Sequence, residues 1–97
     1  MKIHPIGIAE TASLTAGATT LNKAQQVLVQ NTHSSAGRYI HIEQVDASPA
    51  RIASFYLQPN QSVLIRKDYD DEIFASTGAA GTGAATDVLF TKTAFYA

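Results

Sequence analysis

The sequence predicts a single all-β domain: a small β-sandwich or a Greek-key, jelly-roll-like barrel of about six to eight antiparallel strands. Three observations predict it. Apolar residues recur at every second position far more often than at the helical period of about 3.6 residues. The clearest windows are rich in Val, Ile, Phe and Tyr, which suit a pleated, half-buried surface. Turn-forming clusters return roughly every 8 to 15 residues, with no crossover helix between them. A chain of 97 residues holds one core, so 1–97 reads as one domain.

Strands are expected at 3–8, 25–31, 38–45, 51–57, 61–67, 72–76 and 87–96, with a weaker one at 9–14. The alternation is cleanest over Arg38-Tyr39-Ile40-His41-Ile42-Glu43. Ile40 and Ile42 share the face expected to meet the core, which leaves Tyr39, His41 and Glu43 on the opposite face. Phe55 and Leu57 in the next strand, and Val63 and Ile65 in the one after, are further core candidates. Pro59 and Asn60 supply the preset φ and the left-handed tolerance of a short turn, so 51–57 and 61–67 are expected to pair as a hairpin. Other turns fall at 31–37, 47–50 and 67–71, and 11–24 reads mostly as loop. Residues 77–86, Thr77-Gly-Ala-Ala-Gly-Thr-Gly-Ala-Ala-Thr86, are expected to be a flexible Gly/Ala/Thr loop, longer than a tight hairpin needs.

Composition narrows the function. Charged residues make up 15% of the chain, below the usual value of about 25%. Their place is taken by 16 Ala, 10 Thr and 7 Ser. A freely diffusing monomer carries more charge, so contact with neighbouring subunits is expected. The net charge of −1 offers no positive field for nucleic acid or anionic lipid. No cysteine is present, so there is neither a disulfide framework nor a thiolate metal site. The N-terminal residues lack the apolar run of about 7 or more that a signal peptide needs, and no run approaches the roughly 18 apolar residues of a membrane helix. The chain is therefore expected to begin near Met1 and to stay out of membranes.

No residue pattern spells an active site. His4, His33 and His41 fall in different elements, at separations that match no paired metal-ligand spacing. The acidic turn at Asp68, Asp70, Asp71 and Glu72 lacks the Gly and the final Glu of an EF-hand loop and reads as a solvated turn. Gly78, Gly81 and Gly83 spell G-x-x-G-x-G, which is neither a dinucleotide fingerprint nor a P-loop. His33-Ser34-Ser35 is adjacency in a turn, without the acid, base and oxyanion donors that hydrolysis needs. The expectation is no enzyme, no cofactor and no metal. Candidate interaction residues are Ile3, Pro5 and Ile6 of a proline-interrupted edge or arm, Tyr39, His41 and Glu43 of the outward face, and Gly78, Gly81 and Gly83 of the loop. Equal weight goes to the plainer readings: the first strand pairs within its own sheet and the loop stays mobile in solvent, and the outward face is a second packed layer or a tyrosine corner.

Three stretches carry a resemblance: 51–67, with Ser54-Phe55-Tyr56-Leu57 and Ser62-Val63-Leu64-Ile65-Arg66-Lys67; Asp71-Glu72-Ile73-Phe74-Ala75; and 93–97. They resemble short structural proteins of tailed bacteriophages, especially those of cyanobacterial viruses. There a strand ending in Asn, here Val27-Leu28-Val29-Gln30-Asn31, precedes S-F-x-L, a turn, S-V-x-I-x-K and D-x-I-x-A. The step Asp70-Asp71-Glu72 carries more acid than the single Asp of that pattern. The resemblance implies a non-enzymatic virion protein, a capsid decoration protein bound to the major capsid protein lattice in many copies or as a homo-oligomer. The alternatives are a neck or tail accessory protein, a carbohydrate-binding module using Tyr39 and Tyr56, and an adhesion or regulatory domain.

Overall fold

The windows of period two become seven strands: β1 Lys2–Pro5, β2 Gln26–Asn31, β3 Arg38–Glu43, β4 Arg51–Leu57, β5 Ser62–Arg66, β6 Glu72–Ser76 and β7 Val88–Tyr96. The computed structural model describes residues 2–12, 18–44 and 51–96, and among these there is no helix. The end of the expected strand 9–14, Val45 and the turn at 47–50 lie outside the described residues.

All pairings are antiparallel and form two sheets, one of four strands in the order β1-β7-β2-β5 and one of three in the order β4-β3-β6. The free side of β6 is met by residues from before β2. Ala75 N donates to Ala12 O at 2.9 Å, and Thr19 and Ile73 exchange bonds of 3.2 and 2.8 Å. With those residues in place of an eighth strand, the order is that of a jelly roll. Its core lies between the sheets. Val27, Val29, Val88 and Phe90 come from one side and Ile40, Ile73 and Ala75 from the other, all at 0% exposure.

The expected hairpin of β4 and β5 does not form. The turn is there: Asn60 has φ 59° and Gln61 N donates to Gln58 O at 3.1 Å. The strands nevertheless belong to different sheets, β4 beside β3 and β5 beside β2. Asn31, 2% exposed at the end of β2, holds the crossing. Its Nδ2 donates to Leu57 O, Gln58 O and Ala36 O at 3.2, 3.1 and 3.0 Å. A second tie between sheets is bidentate, from Arg38 at the start of β3 to Asp87 just before β7, at 3.0 and 2.8 Å. Burial raises the Asp87 carboxyl, but the Arg38 hydrogen bonds and charge outweigh it and hold the group below its usual value.

Candidate functional site

The face of the three-stranded sheet turned away from the core gathers most of the polar chemistry. The register of β3 sets His41 opposite Ser54 of β4 and Phe74 of β6, so all three share this outer face. Of the two readings of this face, an exposed patch or a second packed layer, the packed one holds at His41, which is 0% exposed. The cover comes from the glycine-rich segment. Thr77 N donates to Gly83 O, Gly78 N to Thr82 O and Gly81 N to Gly78 O, at 3.1, 3.2 and 3.0 Å, so 76–84 is a hydrogen-bonded hairpin. Gly81 and Gly83 turn through φ +88° and +87°, a region that favours glycine. A Cβ on Gly81 would also lie 2.6 Å from the Arg51 guanidinium, so the hairpin and Arg51 close against each other.

Beneath them runs a chain of hydrogen bonds. Ser76 Oγ donates to Gly78 O at 2.7 Å, so its hydroxyl proton is used. It must then accept from His41 Nε2 at 2.7 Å, which places the imidazole proton on Nε2. The lone pair of Nδ1 takes the Ser54 hydroxyl proton at 2.8 Å. Burial, and then the Arg51 charge, push the His41 pKa down; Glu43 and the Gly78 backbone oppose them without prevailing. The ring stacks on Phe74 with centroids 4.8 Å apart. A neutral imidazole with both nitrogens committed positions the hairpin.

The remaining candidates lie apart from that chain. Tyr39 is half-buried and meets Tyr56 edge-to-face at 5.1 Å. Glu43 lies 3.6 Å from Arg51. Ile3 and Pro5 belong to β1, which pairs within its own sheet as Ile3↔Phe95 and Pro5↔Thr93. Ile6 follows it, 50% exposed, with its N–H on Lys92 O at 2.9 Å. The expected first strand, 3–8, thus stops at Pro5. In the acidic turn Asp70 pairs with Lys23 at 3.0 Å, both well exposed. Among the described residues no group of three His, Asp or Glu is placed to hold a metal ion.

At one end of the sandwich a depression of about 520 Å³ is lined by Lys23, Arg66, Lys67 and Lys92, among others. Two of these cations are tied to backbone carbonyls: Lys67 Nζ to Asp71 O at 2.7 Å and Lys92 Nζ to Asn22 O at 2.8 Å. Burial lowers the Lys67 pKa, and Asp71, Asp68 and Asp70 offset part of this. The amino groups close the end of the fold.

Sequence reasoning passed over a different surface. β4 is an edge strand of one sheet and β5 an edge strand of the other, and the chain runs from one to the other without a charge between Arg51 and Arg66. Ile52, Ala53, Ser54 and Tyr56 are exposed along β4. The uncharged run was legible in the sequence, but reading it as a hairpin hid the fact that both strands lie at sheet edges.

Compared with known protein families, curated proteins and solved structures, the chain matches none.

Proposed function

We propose that this chain is a non-enzymatic structural protein of a tailed-bacteriophage virion, a capsid decoration subunit that works by assembling with copies of itself and with the shell. The observation that carries this reading is the lateral side formed by β4 and β5. There two sheet edges run without a charged residue from 52 to 65. An isolated protein guards such edges with Lys, Pro or a covering loop, because their free N–H and C=O groups template pairing with other chains. A subunit buried by neighbours has no such need. The jelly-roll order suits the reading, since that architecture recurs in capsid proteins, and so does the likeness of 51–67 and 71–76 to short virion proteins.

A peptide inventory of purified particles from cells infected by the phage that encodes the chain tests it. The expected result is the chain in fixed ratio to the major shell protein through gradient purification. Its absence from particles, with the chain recovered in the soluble fraction, would overturn the reading.

A further inference from the structure

Resting on that assembly reading, we propose that β4 pairs antiparallel with β4 of a second copy about a two-fold axis through Ser54. Two three-stranded sheets then become one of six strands. The other edges are shorter or occupied. β1 has four residues and carries Lys2 and Pro5, β5 has five, uncharged as far as Ile65, and the free side of β6 is met by Ala12 and Thr19. β4 is longer, at seven residues, and from Ile52 to Leu57 it holds neither charge nor proline.

The strand is also complementary to itself. With Ser54 on the axis, Ile52 stands opposite Tyr56 of the second copy and Ala53 opposite its Phe55. Ile52 and Tyr56 are 51% and 50% exposed in the single chain, two large apolar side chains in contact with water. An aromatic residue opposite a β-branched one is a favoured cross-strand pair, and no like charges meet. The register shift between β3 and β4 leaves Ile52 unmatched between Arg51 and Ala53, at one end of the paired segment, while Ala53–Leu57 pairs regularly with β3. An edge pair of this kind is isologous, with the same patch on both subunits.

The chain has no cysteine, so single substitutions report the register directly. Residues opposed across antiparallel strands have Cα atoms about 4.5 to 5.5 Å apart, inside the range of about 4.4 to 6.8 Å that a disulfide accepts. Under mild oxidation Ser54→Cys is expected to form a covalent dimer in high yield. Ile52→Cys mixed with Tyr56→Cys is expected to cross-link at least tenfold faster than Tyr56→Cys alone. This second pair leaves the Ser54 bond to His41 intact should Ser54→Cys fold poorly. The unmodified chain should sediment as a dimer, and Ile52→Lys as a monomer with unchanged circular dichroism. A wild-type monomer, or a dimer in which the mixed pair cross-links no faster than Tyr56→Cys alone, would overturn the proposal. A chain found on particles that fails these tests keeps its virion role and loses this interface; a dimer absent from particles does the reverse.

Discussion

His41 ties a charge state to folding. In the unfolded chain the imidazole takes up a proton as pH falls through about 6.5, while in the fold its pKa is lowered, first by burial and then by Arg51. Between those two values the unfolded state binds more protons than the native one, so stability falls as pH drops through that window and is fully present above it. His41→Gln removes this titration and leaves Ser54 and Ser76 to find new partners, at a cost of about 1 to 3 kcal/mol at pH 8. Urea unfolding of both proteins at pH 8 and pH 5 checks the prediction. The wild type should lose more stability than the variant between the two; equal losses would mean that His41 is protonated in the fold. The alternation of β3 put this residue on the outer face correctly. Its burial was not legible, because the cover is a hairpin 35 residues further along whose composition is that of a loose linker.

At the level of elements, period-two patterning located the strands because half-buried sheets impose it, and every strand from β2 to β7 falls on an expected window. What patterning does not encode is which strand lies beside which. A Pro-Asn turn looks the same whether it closes a hairpin or crosses between sheets. The choice rests on Asn31, which draws the carbonyls of Leu57 and Gln58 to the end of β2 from 26 and 27 residues away. The same geometry ranks the aromatic residues. Phe55, which local alternation marks as core, is only half-buried at the edge, whereas Phe90 is 0% exposed in a central strand. Phe90→Ala should cost about 3 to 5 kcal/mol, the usual range for a fully buried Phe. Phe55→Ala should cost less than half as much as Phe90→Ala. Denaturant midpoints compared at equal m-values measure both, and equal losses would place Phe55 in the core after all.

Across the whole molecule, the proposed assembly role rests on what the surface lacks. With 15% charged residues the chain cannot guard every edge, and its charges are concentrated elsewhere. Four of its seven Lys and Arg line the depression at one end of the sandwich, while Arg38 is taken up by the tie to Asp87 and Arg51 lies against the hairpin on the outer face. The side built from β4 and β5 is left bare. Low charge and an excess of small residues pointed to assembly from the sequence alone. The proposed place of assembly was not legible there, because only strand pairing shows that two consecutive strands are both edges. Backbone hydrogen exchange on the dilute free chain and on the chain bound to purified particles tests this claim most directly. Outward-facing amides of an unpaired edge exchange quickly, and pairing or burial slows them. The account predicts new protection within residues 52–65, with the interior strands unchanged. Protection gained instead at residues 2–8 or across the 76–84 hairpin, with 52–65 exchanging as in the free chain, would contradict it.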